Sequence, residues 1–219
     1  MKKKLLFLFL FLISSLMCSC SGKSYFVALG DFDNELTSTI SITINKSGND
    51  FFSHPKMQSG ELFKIVDSNA SYYSNGKKHA FFSIAEKSSM FILNLGLNDF
   101  LPSMQIDVSK NILEYDSDLV EKQLEVYEYH LFHILDEIRS INSRAPIILL
   151  SSYNIYKFES PERKLFNTLV HKINDIMIDL TDFNNTHYVS LLDVETLIYE
   201  NLDDKINQQI ADIIKDHLQ

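Results

Sequence analysis

Two stretches decide the fold: Tyr25-Phe26-Val27-Ala28-Leu29-Gly30-Asp31 and Met90-Phe91-Ile92-Leu93-Asn94-Leu95-Gly96-Leu97-Asn98-Asp99. Each is a short apolar run that ends in glycine, with aspartate following closely. Consecutive apolar positions suit a strand buried on both faces, as in a parallel sheet covered by helices. Glycine lets the backbone turn where a Cβ would obstruct. Polar residues just beyond a strand's carboxyl end stand where open α/β sheets bind their ligands.

Working outward, Leu62 to Val66, Ile147 to Leu150 and His187 to Leu192 are further strand candidates beside Tyr25 to Leu29 and Met90 to Leu95. Val120, Leu124, Tyr127, Leu131, Ile134, Ile138 and Ile141 recur at spacings of three and four, the stripe of a long amphipathic helix. Asp116 and Ser117 offer caps before it, and Pro146 stops the chain soon after. Ser160-Pro161 opens a second helix that turns Phe166, Leu169, Ile173, Ile176 and Leu180 inward. Asp203 or Asp204 caps a third, with Ile206, Ile210, Ile213 and Ile214 on its inner face. Strands alternating with helices predict a three-layer α/β/α sandwich around about five mainly parallel strands. Between residues 34 and 60, Ile40, Ile42 and Ile44 alternate with Ser and Thr, and His54-Pro55 marks a turn, so an inserted hairpin bordering the pocket is expected there.

Val27-Ala28-Leu29-Gly30-Asp31 and Leu95-Gly96-Leu97-Asn98-Asp99 resemble blocks I and III of the SGNH (GDSL-type) hydrolases. The order of the remaining elements, from Tyr25 to Ile214, is similar to the lipoprotein esterase-like branch of that family. The resemblance implies a flavodoxin-like sandwich, with Phe32 and Asn98 on neighbouring loops at one edge of the sheet. It also implies acyl transfer by a serine whose proton is taken by a histidine held by an aspartate. This chain departs from that pattern. Phe32 stands where the family has its nucleophilic serine, and the Asp-x-x-His motif is absent from the matching positions, Ile198 to Asn201. The block II glycine is missing near Asn69-Ala70-Ser71-Tyr72.

What remains of the constellation is Gly30, Asp31, Gly96, Asn98 and Asp99, which with Phe32 form the expected vestigial pocket. The resemblance assigns the Asn98 side chain as an oxyanion donor, and the Phe32 N–H would assist it. An oxyanion site without a nucleophile binds and does not turn over, so no catalytic residues are expected. Asn98-Asp99 also reads as a turn-and-cap device, and Asp31 as a carboxylate tying loop N–H groups. Ser151 and Ser152, after an apolar run, are the relocated nucleophiles an active esterase would need.

Gly30-Asp31-Phe32-Asp33-Asn34-Glu35-Leu36 also looks like the first motif of haloacid-dehalogenase-type phosphatases. In that reading Asp31 is nucleophile and Asp33 acid, with Ser151 or Ser152, Lys164 or Lys172, and a Mg²⁺ pair at Asp203-Asp204. Glu35 departs from that motif, and Gly96-Leu97-Asn98-Asp99 is left unexplained. His130 and His133, three apart, suit a metal but lack a second pair, so they read as a solvated helix face. His54 and His79 flank the inserted region, and Tyr72, Tyr73, Phe81 and Phe82 read as core or pocket wall. No metal and no cofactor are expected.

The chain begins with Lys2-Lys3-Lys4 and an apolar stretch from Leu5 to Met17, too short to span a bilayer comfortably. It then runs into Met17-Cys18-Ser19-Cys20, which resembles the lipobox of bacterial lipoproteins. The expected organisation is a signal peptide over 1–19, a lipidated tether over 20–24 and a single domain over 25–219. The resemblance implies that Cys20 is the lipidation site; two acyl chains anchor stably where one is marginal. Cleavage before Cys20 removes three lysines, leaving 17 basic against 29 acidic residues and moving the formal charge from −9 to −12. An acidic chain without a basic cluster is a poor ligand for nucleic acid. The expected partners are the membrane, through Cys20, and a small molecule or surface protein. With Cys18 in the leader and Cys20 acylated, the mature chain is expected to have no free thiol for a disulfide or a nucleophile.

Overall fold

The structure, a computed structural model, describes residues 24–107, 112–156, 159–182, 185–200 and 205–218. Cys20, Asn201 and the Asp203-Asp204 pair lie outside the described residues. Five strands form one sheet: β1 (Tyr25–Gly30), β2 (Ser47–Ser53), β5 (Met90–Asn94), β8 (Ile147–Leu150) and β9 (Thr186–Val189), in the order β2-β1-β5-β8-β9. Every neighbouring pair is parallel. Two antiparallel hairpins stand apart from it, β3 (Ser71–Ser74) with β4 (Lys77–Ala80) and β6 (Met104–Asp107) with β7 (Ile112–Tyr115).

Period-two alternation sends each strand's side chains to two cores. Val27, Leu29, Phe91, Leu93, Ile147 and Leu149 face one layer of helices. That layer holds α2 (Ser59–Asp67), α3 (Phe81–Ala85), the short α4 (Leu97–Phe100), α5 (Ser117–Ile141) and α6 (Pro161–Asp179). Phe26, Ala28, Ile92, Ile148 and Leu150 face the other, formed by α1 (Asn34–Ile44), α7 (Leu192–Tyr199) and α8 (Ile206–His217). The fold is therefore an α/β/α sandwich on a five-stranded parallel sheet. The expected stripe on α5 is its buried face, and Asp116 caps that helix, accepting from the N–H groups of Asp118 and Leu119. Ser160 caps α6, with Pro161 in its first turn, as the sequence predicts.

Three expectations are corrected. The inserted hairpin is not formed: residues 34–44 are helix α1, and Ser47–Ser53 is the parallel edge strand β2. The Asp33 carboxylate starts α1 by accepting from the Leu36 N–H at 2.7 Å, and Leu36, Thr37 and Ile40 are buried while Ile42 is 79% exposed. Leu62 to Val66 is not a strand but lies in α2, which buries Ser59, Leu62 and Val66 on one helical face. Its capping box joins Gln58 and Glu61. The run His187 to Leu192 divides, with β9 ending at Val189 and α7 beginning at Leu192.

Candidate functional site

The site grows from the way β1 and β5 end together. Gly30 pairs with Asn94, and beyond it the Asp31 N–H donates to the Asn94 carbonyl at 2.7 Å while the Asn94 amide donates back to the Asp31 carbonyl at 2.7 Å. Gly30 has φ +105°, and a Cβ there would lie 2.2 Å from the Asn94 carbonyl oxygen. Gly96, at φ +118°, is equally constrained: a Cβ would come within 2.7 Å of Ile173 and 3.1 Å of the Ser152 hydroxyl. Both turns need glycine. Together they bring Asp31 and Asn98 face to face.

The Asn98 amide donates to one oxygen of the Asp31 carboxylate at 2.6 Å. The other oxygen accepts from the Lys56 N–H at 2.7 Å. A side-chain amide and a backbone N–H, the two kinds of donor that stabilise an oxyanion, thus converge on the protein's own carboxylate. Lys56 has φ +68°, unusual for a residue with a side chain. The loop that holds it is tied to the site by the His54 N–H, which donates to the Gly30 carbonyl at 3.2 Å. The backbone donor at this site comes from Lys56, just after the His54-Pro55 turn signal. The segment 34–60 does border the pocket, through this loop.

Phe32 and Asp99 lie beside this pair but face elsewhere. The Phe32 ring is 2% exposed and packs in the core with Leu36 and Ile40, and its N–H donates to the Gly30 carbonyl at 3.1 Å, so it is not the free oxyanion donor expected of it. The Asp99 carboxylate turns toward α2, accepting from the Ser59 N–H at 2.9 Å and the Ser59 hydroxyl at 2.5 Å. Burial pushes the Asp99 carboxyl up to about 6, against the opposing pull of the two Ser59 hydrogen bonds. Ser59 in turn lies 3.0 Å from Nδ1 of His130. His130 is consequently not on a solvated face: it is half-buried, stacks on Phe63 with ring centroids 5.1 Å apart, and has its pKa lowered by burial and by Lys64 and His133. Asp99, Ser59 and His130 pin the start of α2 to α5. The Tyr127 hydroxyl, buried near Asp99, has no hydrogen-bond partner among the described residues.

Ser151 and Ser152 stand at the carboxyl end of β8, across a cleft of about 60 Å³ whose walls include Asp31, Asn98, Ser152 and Tyr153. The Ser151 hydroxyl accepts from the Leu191 N–H at 2.7 Å. Ser152 is fixed through its backbone, which exchanges two hydrogen bonds with the Asn174 side chain at 2.9 and 3.0 Å. Among the described residues no histidine hydrogen-bonds either serine. His54 instead hydrogen-bonds the Pro55 carbonyl and stands 3.8 Å from Glu61, while His79 packs on Phe51. Three groups of the phosphatase reading are otherwise engaged among the described residues. Asp33 caps α1 and Lys172 pairs with Glu121 on α5. Asp31 is held by Lys56 and Asn98.

No protein-family model and no curated protein sequence matches the chain. Solved structures do. A lipase from a goat rumen metagenome superposes with a TM-score of 0.64 at 14% identity, covering 88% of this chain and 96% of that one. Phospholipase A1 from Streptomyces albidoflavus gives a TM-score of 0.55 at 13% identity, covering 80% and 82%. A protein assigned as a GDSL-like lipase from Parabacteroides merdae gives 0.50 at 11%, covering 87% and 93%. At these identities the likeness concerns architecture. A parallel five-stranded sheet with its site at the ends of β1, β5 and β8 gives this chain the SGNH/GDSL hydrolase-type fold.

Proposed function

We propose that the chain is a surface-anchored lipoprotein whose SGNH-type hydrolytic centre is degenerate and serves binding rather than turnover. Cys20 carries the acyl chains and tethers the domain at the outer face of a bacterial membrane. The observation that carries the loss of turnover is the Asp31 carboxylate between Asn98 and Lys56, at 2.6 and 2.7 Å. Donors already satisfied by a fixed anion do not stabilise the charge that develops on a substrate carbonyl. A second anion brought there would face the Asp31 charge. Phe32 supplies no nucleophile, and among the described residues no histidine hydrogen-bonds Ser152 to take its proton.

The test is covalent labelling of the full-length chain in detergent with a fluorophosphonate, which reports an activated serine. No serine adduct is expected by mass spectrometry. An adduct on Ser152 that is lost in Ser152→Ala would replace this reading with that of an active esterase using a relocated nucleophile. Anchoring is tested separately: a fatty-acid analogue should label the chain, and Cys20→Ala should abolish the label. Unchanged labelling in that variant would remove Cys20 as the anchor.

A further inference from the structure

A second and larger cavity, of about 370 Å³, opens beside the Asp31 site. It lies between the loop after β1, which contributes Asp33 and Asn34, and the edge strand β2, which contributes Asp50 and Phe51. Tyr72 closes one side. It is carried there by the β3–β4 hairpin, whose Asn75-Gly76 turn has positive φ at both residues, 50° and 71°. Tyr72 and Phe51 stack with centroids 4.8 Å apart and planes 16° from parallel, giving the cavity an aromatic wall. The volume falls in the range that takes small molecules.

The charge of this cavity is one-sided. Asp33 and Asp50 line it, no lysine or arginine does, and the one basic side chain on its wall, His54, hydrogen-bonds the Pro55 carbonyl and stands 3.8 Å from Glu61. Asp50 is half-buried, and its carboxylate has no hydrogen-bond or ion-pair partner among the described residues. A carboxylate without a partner gains from a counter-charge, and a cleft of one sign focuses its field on an incoming ligand. Phosphate or a fatty-acid carboxylate would meet two like charges. A neutral polyol would hydrogen-bond but gain nothing from the ionised state. An ammonium or guanidinium group gains from both carboxylates and, over the ring faces, from the aromatic quadrupole.

We infer that this cavity is a binding site for a small organic cation, with Asp50 as its counter-ion, Asp33 as a second acceptor and the Phe51–Tyr72 pair as the wall against which the ligand's apolar body packs. The site is separate from the Asp31 pair and does not depend on whether the hydrolytic centre is degenerate.

Calorimetric titration of the full-length chain in a non-ionic detergent, using phenethylammonium chloride and its neutral isostere phenethyl alcohol, tests this. The ammonium should bind with a Kd on the order of 1 mM, and the alcohol at least about tenfold more weakly, a difference of about 1.4 kcal/mol. Asp50→Asn, which keeps the shape of the side chain, should weaken the ammonium about tenfold and leave the alcohol unchanged. Tyr72→Ala should weaken both. Equal affinity for the two probes, an Asp50→Asn variant that binds the ammonium as well as the wild type, or binding of neither below about 10 mM would overturn the inference.

Discussion

Asp31 holds together three segments that are far apart in the chain: its carboxylate takes the Lys56 N–H and the Asn98 amide, and its backbone pairs with Asn94. Hydrogen bonds to a charged acceptor contribute about 1.5–3 kcal/mol each. Water from the adjoining cleft would replace part of that in a variant. Asp31→Ala should therefore lower the unfolding free energy by about 1–3 kcal/mol in urea titration. Added acetate should restore more stability to the variant than to the wild type, because the two donors are left facing an empty anion site. Equal acetate effects on both proteins would show that Asn98 and Lys56 do not form such a site. Asp99 gives a second prediction, from its pH dependence. Its carboxyl titrates at about 6 when folded against 3.8 unperturbed, so the folded state binds this proton more tightly. The group's contribution is then greatest below pH 3.8 and is lost as pH rises to about 6, by about 3 kcal/mol in all. Asp99→Asn, which can still accept from Ser59, should remove that fall. Measured between pH 4 and 6.5, the stability of wild type minus variant should decline as pH rises; a difference that is flat or increases would contradict the burial of Asp99.

At the scale of elements, what the sequence made legible followed from long or continuous apolar patterns. The runs of β1, β5 and β8 are buried on both faces and contain no competing period, and the stripe of α5 belongs to a helix of 25 residues. Short segments were ambiguous. In α1 the alternation of Ile40, Ile42 and Ile44 imitates a strand, yet Leu36, Thr37 and Ile40 are the buried set and Asp33 provides the cap. The β-branched preference of Thr37-Ser38-Thr39-Ile40 was overridden by packing of the helix on its layer. In α2 the decisive signal was the capping pair Gln58 and Glu61, which a reading of Leu62 to Val66 alone passes over. Strand β2, with sequence Ser-Gly-Asn-Asp-Phe-Phe-Ser, carries almost no apolar pattern because an edge strand has little to bury. The cap on α1 is testable: Asp33→Ala should cost about 1 kcal/mol in thermal or urea unfolding, and no loss would remove Asp33 as the start of the helix.

Across the whole molecule, the two glycine-ended strands were enough to bring Asp31 and Asn98 together, because a parallel sheet brings the carboxyl ends of β1, β5 and β8 to one side. They were not enough to say what the site holds. That Asp31 fills the space between the donors depends on Lys56, which approaches through a strained loop and carries no motif of its own. His130 was read as solvated because its partner, Ser59, is 71 residues away in the chain. The central proposal is that this SGNH-type fold does not perform acyl transfer. Pre-steady-state hydrolysis of p-nitrophenyl acetate tests it most directly, on the wild type and on Phe32→Ser in parallel. Neither protein should show a burst or turnover above the buffer rate, since a serine restored at that position still lacks a histidine. Hydrolysis by the unmodified chain that disappears in Ser152→Ala would contradict the account.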